Sequence, residues 1–149
     1  MMKYEQLKLD NQLCFPVYAA SRLITREYQP FLNELGITYP QYLVMMVLWE
    51  NDGQTVNQVA GKLLLNTNTV TPLLKRMEAM GIISRERTGS DERKVHVRLT
   101  EKGKKMRDDA ATIPERLAGK LKGGELDLEK LLQLRDTLNM IIKLLGEKC

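Results

Sequence analysis

The chain has 149 residues, 43% of them hydrophobic and only 5% aromatic, so one domain or one subunit with an aliphatic, helix-friendly core is expected. No apolar run reaches the roughly 18 residues of a membrane span, and the polar start "MMKYEQLKLD" lacks the apolar stretch of a signal peptide. Two cysteines without CxxC spacing and a single histidine argue against a disulfide framework, a zinc site or a histidine-based triad, so a cytoplasmic protein without metal or cofactor is expected. The net charge of +4 is uneven, because residues 61–107 hold 12 Lys/Arg against 5 Asp/Glu and the remainder is slightly acidic. That distribution points to one anionic partner held by the middle of the chain.

In chain order, Asp10 is placed to cap a first helix, in which Val17, Ala20, Ile24 and Tyr28 recur at helical spacing. Pro16 conflicts with that start, so the helix either begins near Cys14 or bends there. Pro30 and "LGIT" end it. Thr38 caps a second helix with Pro40 in its first turn, and "PQYLVMMVLWEN" is apolar nearly all round, hence buried. Gly53 stops it.

Thr55 caps a short helix to about Leu64, and Asn66 or Thr67 caps another that Gly81 ends. Two helices joined by a tight turn are a helix-turn-helix, with Val59, Leu63, Val70, Leu73, Leu74 and Met77 as its seam. Val95, Val97 and Leu99 then alternate with Lys94, His96 and Arg98, so residues 82–100 read as a β-hairpin, a wing with "TGSD" at its turn. Thr100 caps a helix over residues 101–119, and "KGGELD" breaks the chain. The last helix carries Leu128, Leu131, Leu132, Leu138, Ile141 and Ile142. Apolar residues on both terminal helices have little to pack on in a wing-and-helix unit, so a homodimer is expected. The fold class is mostly α with a small β-hairpin wing, a winged helix-turn-helix. It divides into a first helix (1–38), the helix-turn-helix and wing (39–104) and the C-terminal dimerisation helices (105–149).

The first turn of the second helix of such a motif meets base edges in the major groove of double-stranded DNA. Here that turn is "NTNTVT". Capping needs one such residue, and four polar side chains in the five positions 67–71 are in excess of it. Asn66, Thr67, Asn68, Thr69 and Thr71 are therefore candidates for DNA contact, with Lys75 and Arg76 further along on phosphates. Arg85, Arg87 and Arg93 on the wing would reach the backbone or a minor groove, with Asp91 orienting an arginine.

"IISR" followed by "DERKVHVRLTEKG" resembles the wing signature of the MarR family of dimeric winged-helix repressors. "LDNQLCF", "YAASR", "LGITYPQYLVMMVLWE" and "TVTPLLKRME" are similar to its organic-hydroperoxide-sensing, OhrR-type branch. The resemblance runs from about Leu9 to Gly103. It implies a triangular helical dimer on a pseudo-palindromic operator, with Cys14 as peroxide sensor. It also implies that Tyr28 and Tyr39 hydrogen-bond the sulfur across the dimer interface, with Tyr18 nearby. "NTNTVT" stands where the branch often has an Asp-Ser-Gly-Thr run. A second redox cysteine closes an intersubunit disulfide in some members, and Cys149 lies later than that position, which favours a one-cysteine mechanism.

Peroxide attack requires thiolate, which helix N–H groups and tyrosine hydroxyls both favour. An apolar rim, with Phe15 and Phe31 as candidates, would prefer organic hydroperoxides to hydrogen peroxide. Oxidation to sulfenic acid would break the tyrosine contacts, shift the spacing of the recognition helices and release the operator. A second reading keeps the repressor but makes its effector a small aromatic or anionic ligand, with Cys14 inert. A third, a thiol-dependent redox enzyme, lacks both a resolving cysteine at CxxC spacing and a thioredoxin-like βαβ pattern. The methionines, among them Met45 and Met77, and Trp49 read as core.

Overall fold

A computed structural model describes residues 3–87 and 94–146. Two single 3₁₀ turns, Glu5–Leu7 and Leu9–Asn11, precede α1 (Cys14–Leu35). The helix therefore starts at Cys14, and Asp10 does not cap it but sits in the second 3₁₀ turn. Pro16 decides this. In the first turn its missing N–H has no intrahelical acceptor to lose, whereas a helix begun at Asp10 would have lost a backbone bond and met a ring clash.

Pro30 does not end α1 as expected, and the helix runs on to Leu35. The reason is packing, because Phe31 and Leu32 immediately after it are buried in the core. The end comes at Gly36, whose left-handed conformation (φ 71°) lets Ile37 N–H reach the carbonyl of Leu32.

Helix α2 (Tyr39–Glu50) starts with a capping box in which Gln41 N–H donates to Thr38 Oγ1 and Thr38 N–H to Gln41 Oε1. As its apolar surround requires, Tyr42, Val44, Met45, Val47 and Leu48 are buried. Helix α3 (Val56–Leu63) repeats the capping box with Thr55 and Gln58, and α4 (Thr67–Ala79) is capped by Asn66, whose Oδ1 accepts from Asn68 N–H at 2.9 Å. Val59, Val70, Leu73, Leu74 and Met77 form the buried seam between them, with Leu63 half-buried at its edge.

The sheet has one strand more than the hairpin read from the sequence. Strand β1 (Gln54–Thr55) pairs antiparallel with β3 (Val95–Leu99), which pairs on its other side with β2 (Ile83–Arg87). A two-residue strand shows no alternation, which is why the sequence pattern misses it. The wing turn expected at "TGSD", with Asp91 and Arg93, lies outside the described residues.

The helix expected over residues 101–119 is two helices, α5 (Glu101–Ala110) and α6 (Ile113–Leu121). Pro114 explains the break, because in a continuous helix it could not donate to Ala110 and its ring would strike that carbonyl. Helix α7 (Leu128–Gly146) follows and contributes no buried residue. The core lies among α1 to α6 and the sheet, and Leu32, Met45, Leu48, Leu74, Met77 and Ile82 are fully enclosed. Leu7, Leu9 and Leu13 before or at the start of α1, and Met140, Leu144 and Leu145 on α7, stay exposed. Among the described residues no helix is long and apolar enough to cross a membrane.

Candidate functional site: an exposed thiol, a tyrosine cluster and a winged helix-turn-helix

Cys14 is the first residue of α1 and is exposed. It opens into a cleft of about 400 Å³ lined by Leu13, Val17, Tyr18 and Ser21 on one side and Leu138 and Ile141 of α7 on the other. The cleft is largely apolar, and Tyr18, one helical turn on, is the tyrosine that shares it. Phe15 is exposed beside the thiol. Phe31, the other expected rim residue, is instead in the core, beneath the Arg116 and Lys120 cations of α6 at 4.3 and 4.8 Å from its ring centre. Those two side chains also meet Glu34 and Glu27 of α1. Cys149 lies outside the described residues.

Tyr28 and Tyr39 come together, but not at Cys14. Their ring centres are 5.0 Å apart, and both stack against Tyr42, which meets Trp49 edge-on at 6.3 Å. Tyr28 follows Cys14 on the same helix at a distance of about 21 Å along its axis. Within one protomer neither hydroxyl can reach the sulfur. Burial, reinforced by Tyr39 and Tyr42, pushes the Tyr28 phenol up to about 12, and burial raises Tyr39 and Tyr42 as well. At neutral pH all three hydroxyls keep their protons and remain donors. Tyr42 is not among the residues the sequence marks out for the site, although its i, i+3 spacing from Tyr39 places both on one face of α2.

The recognition-helix candidates divide by face. Thr67, Thr71 and Lys75 follow at i, i+4 and i+8 and form one stripe of α4, with exposed Asn68 beside it. Thr69 and Arg76 lie on the opposite flank and line a cleft of about 690 Å³ against Thr38, Pro40 and Gln41 at the start of α2. Asn66 accepts from Asn68 N–H through Oδ1 at the cap.

On the wing, Arg87 and Lys94 are exposed at the end of β2 and just before β3. Arg85 is not a free cation. Its Nη2 donates to Glu78 Oε1 at 3.1 Å and its backbone N–H to Glu78 Oε2 at 2.9 Å, tying β2 to the recognition helix. These hydrogen bonds hold the Glu78 carboxyl below its ordinary value. Asp52 Oδ1 accepts from Leu99 N–H at 2.9 Å and so fastens the end of α2 to β3. Among the described residues no three His, Cys, Asp or Glu side chains come together to hold a metal ion.

A helix-turn-helix followed by a wing, carried between terminal helices, is the arrangement found in the solved relatives. The chain superimposes on reduced AbfR bound to DNA with a TM-score of 0.77, at 38% identity over 97% of this chain and 99% of that one. The chain belongs to the MarR family of winged-helix transcriptional regulators, in its OhrR-type branch. A family model described as transcriptional regulator SarA/Rot matches residues 26–110. The organic hydroperoxide resistance transcriptional regulator of Bacillus subtilis (strain 168) is 43% identical over 98% of this chain and 97% of its own length. The disulfide-formed structure of AbfR, a protein of Staphylococcus epidermidis, matches with a lower TM-score of 0.67, at 37% identity over 98% of this chain and 97% of that one. This OhrR-type chain is a DNA-binding transcriptional regulator, and its relatives give the thiol-enzyme reading no support.

Proposed function

We propose that this MarR-family regulator is a dimeric repressor that senses organic hydroperoxides through Cys14 and releases its operator when that thiol is oxidised. The observation that carries the proposal is the placement of Cys14, exposed at the first turn of α1 in a largely apolar cleft. The hydroperoxide-resistance relative, similar over nearly both chains, supports the same effector class.

The exposed apolar residues of α7 and of the chain around Cys14 would be covered by a second copy. An antiparallel crossing of the two α1 helices centred near Ser21 would bring Cys14 of one beside residue 28 of the other. The intrachain distance of about 21 Å then makes Tyr28 and Tyr39 of the partner subunit the tyrosines that donate to the sulfur. Their raised pKa values keep them donors throughout the physiological range.

The thiolate attacks the distal oxygen of the hydroperoxide and the O–O bond breaks. Sulfur is oxidised to sulfenic acid, and the alkoxide takes up a proton and leaves as the alcohol. The neutral, bulkier group no longer holds the tyrosines, and the two recognition helices lose the spacing that two half-sites demand. Thr67, Asn68, Thr71 and Lys75 are the base-edge and phosphate candidates on α4, and Arg87 is one on the wing.

The test is a titration with cumene hydroperoxide of the protein bound to a DNA duplex that the reduced protein has selected from a random pool. Wild type should release the duplex and Cys14→Ser should retain it. Equal release by both would sink the sensing reading and leave a small aromatic or anionic ligand in the dimer crevice, with Cys14 inert, as the alternative. The same titration on Cys149→Ser should match wild type if one cysteine suffices.

A further inference from the structure

The tyrosine cluster does not end at Tyr42. Tyr42 rests edge-on against Trp49, the chain's only tryptophan, and the indole Nε1–H of Trp49 donates at 2.9 Å to the carbonyl of Gly103, 54 positions on. Gly103 is the third residue of α5, and a Cβ on it would collide with the carbonyl of Ile82 immediately before β2. That carbonyl accepts from Thr100 N–H, and Thr100 Oγ1 donates to the carbonyl of Gly81. A continuous line of stacked rings, one indole hydrogen bond and one backbone contact thus runs from Tyr28 and Tyr39 to the foot of the wing.

We propose that Trp49 is the positioning residue through which the state of the tyrosine cluster sets the placement of α5 and the wing. The proposal rests on the Cys14 sensing reading. Packed interiors move between discrete arrangements rather than deforming smoothly. When Tyr28 and Tyr39 lose their sulfur acceptor and repack, Tyr42 shifts with them. The indole edge against Tyr42 follows, and its N–H carries the displacement to Gly103. No side chain separates Gly103 from Ile82, so α5 moves together with the strand that bears Arg87.

The test measures affinity for the selected DNA duplex before and after cumene hydroperoxide, in wild type, Cys14→Ser and Trp49→Phe. A further protein has Trp49 replaced by benzothienylalanine, which keeps the shape but puts sulfur where the N–H was. Emission from the single tryptophan should change on oxidation of wild type and stay constant in Cys14→Ser. Both Trp49 replacements should shrink the oxidised-to-reduced affinity ratio by about threefold or more, with reduced-state binding retained. A purely structural indole would lower the melting temperature and leave that ratio and the emission unmoved. A full wild-type ratio in the benzothienylalanine protein overturns the proposal, and that protein decides the matter if Trp49→Phe does not fold. Release of DNA by oxidised Cys14→Ser overturns the sensing reading instead, a result distinguishable from the first.

Discussion

Gly103 lies so close to the carbonyl of Ile82 that no side chain fits between them. The neighbour is backbone at the junction of α4 and β2, so it cannot yield by changing rotamer. Gly103→Ala would gain up to about 1 kcal/mol of helix propensity, but forcing α5 away from the sheet costs more, typically 1–3 kcal/mol and beyond where backbone must move. A net loss of about 1 kcal/mol or more is expected, seen as a lower urea midpoint. An unchanged midpoint would show that α5 has room to move.

Leu64 is the only non-glycine residue with positive φ among the described residues (φ 57°, ψ 37°). It ends α3 as Gly36 ends α1, with Leu65 N–H reaching the carbonyl of Ala60. A left-handed leucine costs roughly 1–2 kcal/mol relative to glycine at such a position, and its side chain is 63% exposed, so little burial offsets the strain. Leu64→Gly should therefore raise stability by about 1 kcal/mol, seen as a higher melting temperature. A lower melting temperature would mean that the leucine is covered in the dimer.

Much of this architecture is legible in the sequence because it is written in local signals. Thr38, Thr55, Asn66 and Thr100 cap the helices they were expected to cap. The effect of a proline is less legible, because it depends on where a helix begins and on what packs beside it. Pro16 confines the start of α1 to Cys14, Pro30 is overridden by the burial of Phe31 and Leu32, and Pro114 splits α5 from α6. At the site, Cys14 and Tyr18 share a face by spacing alone. Neither the wall that Leu138 and Ile141 lend to their cleft nor the commitment of Arg85 to Glu78 could be read, because both are contacts between distant elements.

The raised tyrosine pKa values have a consequence at alkaline pH. Folded Tyr28 titrates near 12 against an ordinary 10.0. The protonated form is favoured in the folded state, so its contribution is complete below pH 10 and is lost as pH rises toward 12. Wild type should lose stability across that window, and Tyr28→Phe should lose less. Absorbance at 295 nm should show one tyrosine fewer titrating late in the variant. Identical alkaline profiles would remove Tyr28 as the group responsible.

Asn66 and Lys75 stand at the two ends of what one helix does. Asn66→Ala removes the cap on α4 and should cost about 1 kcal/mol of stability without changing how DNA affinity depends on salt. Lys75→Ala should leave stability nearly unchanged and lower the slope of log affinity against log salt by about 1. A reduced salt slope in Asn66→Ala, or an unaltered one in Lys75→Ala, would reverse the assignment of cap and phosphate contact.

Arg85 and Arg87 sit two residues apart on β2 with different commitments. Arg85 is held by Glu78, whose carboxyl is depressed below its ordinary 4.5 by the side-chain and backbone hydrogen bonds from Arg85. A depressed carboxyl contributes stability that is complete above about pH 4.5 and is lost as pH falls through its folded-state value. Wild type should therefore exceed Glu78→Gln in stability at pH 7, and the two should converge in acid. Because its guanidinium is occupied, Arg85→Ala should lower stability while leaving the salt slope of DNA binding unchanged. Arg87, exposed at the end of β2, should do the opposite, its alanine variant keeping the melting temperature and lowering the slope by about 1. If both alanine variants lower the slope equally, Arg85 exchanges Glu78 for phosphate when DNA binds, and the tie between β2 and the recognition helix opens in the complex.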